Sequence, residues 1–337
     1  MKRGKITVGQ ASLTGNDNTA LQRAVDDLAE GGGGTVELPA GTFEMRDALR
    51  LRSGVTVVGQ GPETVLRKAP SVSSPLADWL GYGHYEVTVK EPDLFEPGMG
   101  VLIEDADAGG FYVTAATITA KDGNALFIDR MLNHDYHPAR GGRIVSVFPL
   151  VCSEGVENVA LRNLTLDGGN DAVYMNGCRG GGVFLLRTHA ATIEGVEVLN
   201  YNGDAVSFQQ CSDILVQNSH LHHNEGCGLH PGSGSVRYVM SHNHIHHNGG
   251  DGIFYCLRTT YSRCESNEIH DNGRAGISIG ERDTDHMVRS NEIYQNGGPG
   301  VLFRKAHFIG GDRVVLHGNA FRRNCQRSGE AEIVVEE

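Results

Sequence analysis

Between Gly182 and Phe303 the chain repeats itself at a nearly fixed interval. The segments Gly182-Val-Phe-Leu, Ala205-Val-Ser-Phe, Gly228-Leu-His-Pro, Gly252-Ile-Phe-Tyr, Gly276-Ile-Ser-Ile and Gly300-Val-Leu-Phe follow one another at steps of 23, 23, 24, 24 and 24 residues. Other columns keep the same step: Asn224, Asn248, Asn272 and Asn296; Asn243, Asn267 and Asn291; Leu221, Ile245, Ile269 and Ile293. A unit this short cannot bury its own apolar face, so neighbouring units must complete one continuous core, which is the logic of a solenoid. The units show β-branched alternation, with no leucine consensus and no helical period. They therefore predict a β-helical coil rather than a leucine-rich one. Stacked turns bring equivalent residues to about 4.8 Å, so the Asn columns are expected to hydrogen-bond along the stack as structural ladders.

Composition agrees and narrows the function classes. Gly supplies 46 of 337 residues and Pro only 10, the signature of many tight turns rather than of collagen or proline-rich disorder. A net charge of −12 argues against nucleic acid as the main partner. The longest apolar runs, such as Val183 to Leu186, fall far short of the ~20 residues of a membrane span, so no membrane partner is expected. Met1 to Val8 carry charge without a following apolar stretch, so no signal peptide is expected there. The seven cysteines include no C-x-x-C pair, which leaves a zinc ribbon unsupported and most of them expected as small core fillers.

Before the repeats, Asp17 or Asn18 can cap a helix from Thr19 to Glu30 whose Leu21, Ala24, Val25 and Leu28 share one face, a lid for the open end of the coil. The run Asn16-Asp-Asn-Thr-Ala-Leu-Gln-Arg-Ala-Val-Asp, then Gly-Gly-Gly-Thr-Val-Glu-Leu-Pro-Ala-Gly-Thr-Phe, then Gly54-Val-Thr-Val-Val-Gly-Gln-Gly resembles the opening of pectate-lyase-superfamily proteins. The resemblance implies an all-β fold, a right-handed parallel β-helix with an amino-terminal cap helix. It also implies a secreted or periplasmic protein acting on a glycan, with a divalent cation such as calcium as a cofactor of some members. It does not choose among the lyases, glycoside hydrolases, epimerases and tailspikes of that superfamily. Gly59-Gln-Gly61 does not form a dinucleotide loop, because Val65 replaces the expected later glycine and no helix follows. Residues 82 to 148 lose the period and alternate as separate strands. Hence residues 1–81 are expected as cap and first turns, 82–148 as an inserted β subdomain offering Arg130, His134 or Tyr136 to a ligand, and 149–337 as the main coil.

Side chains of a coil strand alternate in and out, so the repeats can be sorted by column. Val183, Val206, Leu229, Ile253, Ile277 and Val301 point inward, as do Leu185, Phe208, Pro231, Tyr255, Ile279 and Phe303. The column between them, Phe184, Ser207, His230, Phe254, Ser278 and Leu302, must face outward, and its mixture of aromatic and polar groups suits a sugar chain. Just beyond the strand lie Arg187, His189, Gln209, Gln210, Ser233, Ser235, Arg258, Glu281, Arg282, Asp283, Arg304, Lys305 and His307. Just before it lie Asp204 and Asp251, on the turns either side of His230. This stripe is the expected groove.

His230, with the side-chain pKa nearest neutrality, is the expected base or acid. Arg258, Arg282, Arg304 and Lys305 would neutralise a uronate carboxylate, Lys305 being a second base candidate. Glu281 and Asp283 would orient those cations or form the acid pair of a hydrolase. Phe184, Arg187, His189, Asp204, Gln209, Gln210, Asp251 and Phe254 would bind substrate. The local basic clustering favours a lyase cleaving a uronate-containing polysaccharide by β-elimination. A glycoside hydrolase, a uronan C5-epimerase, or a non-catalytic glycan-binding or tailspike-like module are the alternatives, as monomer or homotrimer. A second cluster, His220, His222, His223, His244, His246, His247, Glu268, His270 and Asp271, is expected as stacked surface rings, and no residue is assigned to a metal.

Overall fold

The computed structural model describes residues 4–9, 17–108, 110–307, 309–325 and 332–336; Asn16, where the family-like opening begins, lies outside them. The helix, α1, runs Asn18–Glu30 and is capped by Asp17, whose carboxylate accepts from the Ala20 amide at 3.1 Å. Its apolar face, Leu21, Ala24, Val25 and Leu28, is buried on the first coil strands. No helix among the described residues is long and apolar enough to cross a membrane.

Each regular turn carries three strand positions, such as Val206–Gln209, Ser212–Gln217 and His220–His222. The first position stacks in parallel into a nine-stranded front sheet, and the other two into a seventeen-stranded back sheet. The register matches the sequence repeat, because Val183 pairs with Val206, Val206 with Leu229, Leu229 with Ile253 and Ile253 with Ile277. The two inward columns form the core: Val183, Val206, Leu229, Ile253, Ile277 and Val301 are all fully buried. Both Asn ladders form. Nδ2 of Asn224 donates to Oδ1 of Asn248 at 2.9 Å, Asn248 to Asn272 at 3.0 Å and Asn272 to Asn296 at 3.0 Å. The ladders go one rung further than the fixed step could show, to Asn319 and Asn324. On the back sheet the histidines stack as ribbons, with His220 and His244 centroids 4.8 Å apart and His222 and His246 5.0 Å apart.

The inserted subdomain is a six-stranded sheet with its own core, around Leu76, Phe95, Ile103 and Ile144. It begins earlier than residue 82: Ser73–Pro75 already pairs antiparallel with Arg143–Val145. A Ser-Ser-Pro strand has no apolar alternation, so that edge carries no signal in the pattern of residues. A second interruption is the loop between Asp167 and Val183, where the front-sheet step widens, Val151 pairing with Val183.

Candidate active site

The loop 168–181 decides what the front sheet presents. Its start is tied down by Asp171, whose carboxylate accepts from the buried Lys68 ammonium at 2.8 Å and from the Ser71 amide at 2.8 Å. Burial pushes the Lys68 pKa down, while hydrogen bonding and charge from Asp171 act against that shift. Met175 then inserts fully buried beside Tyr201, and the Gly177 carbonyl accepts from Ser207 Oγ at 2.5 Å. The loop therefore lies over the outward column at Ser207 and His230. Position 177 must be glycine, since a Cβ there would stand 1.7 Å from Asp204 Oδ2 and 2.4 Å from His230 Nδ1.

His230 faces outward as its column requires, yet this cover leaves it only 5% exposed. Its Nδ1 bonds Asp204 Oδ2 at 2.5 Å; Asp204 Oδ1 accepts from the Cys227 amide at 2.6 Å. Burial opposes charge on the imidazole, but the adjacent carboxylate outweighs it and lifts the His230 pKa to about 9. The other ring nitrogen, Nε2, faces Cys178 Sγ at 4.0 Å. Cys256, from the turn after His230, completes a group whose ligating atoms all lie within 4.8 Å of one another. A hydrogen bond between the two thiols raises the Cys178 pKa and lowers that of Cys256. Phe254 sets its ring edge-to-face against His230 at 5.1 Å, and the Arg304 guanidinium lies over Phe254 at 4.1 Å. Arg304 also donates to Ser278 Oγ and the Tyr255 carbonyl, both at 2.6 Å. That path is open because position 280 is Gly, whose Cβ would meet the guanidinium at 1.9 Å.

The structure thus brings together His230, Asp204, Phe254, Arg304 and Gln209, the last buried with its Nε2 on Ser207 Oγ at 2.9 Å. Asp251 is close behind, buried, one oxygen accepting from the Ala275 amide at 2.8 Å and the other without a hydrogen-bond partner. The rest of the expected stripe disperses. Arg187, Gln210, Arg258 and Arg282 take left-handed backbone, φ 48°, 55°, 57° and 57°, at the corner where the chain leaves the front sheet, so they stand at an edge rather than on the face. Arg187 pairs with Glu154, and Glu281 with Arg282 at 3.4 Å. Asp283 is fully buried and accepts from the Thr259 amide, Thr259 Oγ1 and the Gly280 amide, so it closes a turn and does not pair with Glu281 over a groove. His189 belongs to the back sheet, on Ser212 at 2.9 Å, and Lys305 is exposed near the last turn, its amide on Glu336.

The cleft itself lies further toward the amino terminus than the stripe. A cavity of about 360 Å³ opens between the subdomain and the first front-sheet strands. Phe184 and Phe148 give it apolar walls, Arg50, Arg52, Arg130 and Arg179 surround it, and Asp47, Cys152, Ser153 and Glu154 add to the polar lining. Arg50 is held by Asp47 at 2.8 Å and Arg52 by Asp26 at 2.6 Å. Arg130 is 3.7 Å from Asp129, whereas Arg179 makes no ion pair among the described residues and is anchored through Nε on the Phe111 carbonyl at 2.7 Å. Tyr136, by contrast, is buried against Thr114, and His134 sits between Tyr112 and Tyr136, so of the three subdomain residues expected near a ligand Arg130 lines the cleft. The lining residues Arg50, Cys152 and Glu154 precede the regular repeats, where no column could reveal them. As for calcium, which takes about six to eight oxygen ligands, every ligating group among the described residues contains imidazole, and none is an oxygen cage.

Residues 181–332 match the family model described as the right handed beta helix region. The chain folds as a right-handed parallel β-helix. No curated protein matches it in sequence. Among solved structures, this β-helix is similar to the A-modules of two mannuronan C-5 epimerases of Azotobacter vinelandii. AlgE4 is 19% identical over 94% of this chain and 76% of that one at TM-score 0.58, and AlgE6 is 19% identical over 98% and 79% at 0.60. It is likewise similar to a hyperthermoactive exopolygalacturonase from Thermotoga maritima, 13% identical over 99% and 79% at TM-score 0.58. At these identities the likeness is one of fold.

Proposed function

We propose that this β-helix is a polysaccharide-active enzyme that draws an acidic, uronate-containing glycan into the cleft beneath its subdomain and cleaves it by β-elimination. The observation that carries the reading is the charge of that cleft: four arginines surround it on a chain whose net charge is −12. Arg130 and Arg179 are the two whose cations are least committed within the protein, and a guanidinium fork matches a carboxylate. Phe184 offers a flat apolar face to a sugar ring. Neutralising the uronate carboxylate acidifies the adjacent C5 proton, and Glu154, the more solvent-exposed of the two lining carboxylates and the partner of Arg187, is the base that accepts it in this reading. The fold neighbours that act on mannuronan and, by name, on polygalacturonate are consistent with an acidic glycan.

β-Elimination and C5-epimerisation share this proton abstraction. Hydrolysis is the second reading, favoured by the presence of both Asp47 and Glu154 on one cavity, as a carboxylate pair requires. The test is a panel of polymannuronate, polygalacturonate and a neutral glucan. Ultraviolet absorbance of an unsaturated product marks a lyase, solvent deuterium at C5 without cleavage an epimerase, and reducing ends without absorbance a hydrolase. Turnover of the neutral glucan alone would overturn the acidic-substrate reading. Glu154→Gln is expected to lower kcat by about 10²–10⁴-fold.

A further inference from the structure

The loop, the front sheet and the buried dyad leave one arrangement that glycan binding does not use. We propose that Cys178, His230 and Cys256 bind one soft or borderline cation, zinc foremost, with Asp204 as the outer partner that fixes the imidazole.

Thiolate and imidazole donors select zinc or copper(I) over magnesium or calcium. In a tetrahedral zinc site, bond lengths of about 2.3 Å to sulfur and 2.0 Å to nitrogen put neighbouring ligand atoms about 3.5–3.8 Å apart. Here Cys178 Sγ is 4.0 Å from His230 Nε2 and the three ligating atoms lie within 4.8 Å, so closing on an ion needs only small side-chain movements. The imidazole is already oriented for it. Asp204 takes Nδ1 at 2.5 Å, which leaves Nε2 toward the sulfurs, the carboxylate–histidine–metal relation found around protein zinc. Three separate chain segments converge on this point. The loop delivers Cys178, one coil turn His230 and the next Cys256, and the close approach of the loop depends on the missing side chain at Gly177. Two thiolates and a neutral imidazole around a divalent ion give an uncharged centre, the protons held on the sulfurs and on imidazole Nε2 passing to solvent, which suits its burial, and three donors leave a fourth position for a small oxygen ligand. This inference does not depend on the glycan reading.

The full chain, reduced and stripped with a chelator, is titrated with Co²⁺ as a probe for zinc. The expected result is one Co²⁺ per chain with intense near-ultraviolet thiolate charge transfer, abolished by one equivalent of Zn²⁺. The imidazole ribbons of the back sheet contain no sulfur and cannot give that band. Cys178→Ser and Cys256→Ser should each remove it, and Asp204→Asn should weaken Zn²⁺ about 10–100-fold at unchanged stoichiometry. Peptide mapping of alkylated wild-type protein should show Zn²⁺ shielding Cys178 and Cys256 but not the other cysteines, a readout that needs no variant to fold. A titration without the thiolate band, a band surviving both serine variants, or equal alkylation of all cysteines with and without Zn²⁺ would overturn the site.

Discussion

His286 shows at the residue scale how burial alone sets behaviour. It is 1% exposed, its Nδ1 lies 2.8 Å from Ser262 Oγ, and burial pushes its pKa down from 6.5 to about 4. The unfolded chain takes up the proton below about pH 6.5 and the folded one only below about 4. Its contribution to stability is therefore complete above pH 6.5 and lost as pH falls through that window, about 3 kcal/mol in all. Melting temperature followed from pH 7.5 to 4.5 should fall, and His286→Gln should flatten part of that slope; a slope identical in the variant would refute the assignment. At the cleft, Arg179→Ala should raise KM for an acidic glycan about 10-fold or more while moving the melting temperature little, because its guanidinium makes no ion pair among the described residues and gives up one exposed hydrogen bond, to the Phe111 carbonyl. An unchanged KM would remove Arg179 from the proposed site.

The ladders and the loop belong to the scale of elements. Asn248 donates to the Leu221 carbonyl and to Asn272, and accepts from the Asn224 amide and side chain, all while buried. Asn248→Ala strands partners on two neighbouring turns, so denaturant unfolding should show a loss of about 2–4 kcal/mol, larger than for an exposed turn residue. Loop 168–181 depends on an ion pair whose lysine is sealed from water. Asp171→Asn should free the loop and raise protease cleavage between residues 168 and 181 without unfolding the coil; resistance equal to wild type would show that the ion pair is dispensable and that Met175 and the loop's hydrogen bonds hold it. The sequence identified the ladders because the residues recur at a fixed step. It could not identify the loop's cargo, because Cys178 and Cys256 lie in different turns and no local motif links them.

For the molecule as a whole, charge and stacking act over the longest distances. A chain of net charge −12 repels a polyanion at long range while its cleft attracts it at short range. Association with an acidic glycan should therefore quicken as salt is raised from very low ionic strength and weaken again once the local pairs are screened. A rate that only falls with added salt would instead place the glycan on a face dominated by positive charge. Stacking explains which expected groove residues came together. His230, Phe254 and Arg304 lie within reach of one another because front-sheet rungs are about 4.8 Å apart. Arg187, Arg258 and Arg282, three residues from the same sequence stripe, lie at the corner because the left-handed turn there rotates them off the face.

The repeat by itself determined the coil, its register, its two inward columns and the outward place of His230, since a fixed step of turn residues and alternating apolar ones has few ways to bury its core. Tertiary structure alone decided what surrounds that outward face. The two insertions obey no period, and only their folding back places four arginines around a cleft and a second thiol over a histidine. Proximity between segments that share no repeat is a property of the folded chain, and no spacing along the sequence encodes it.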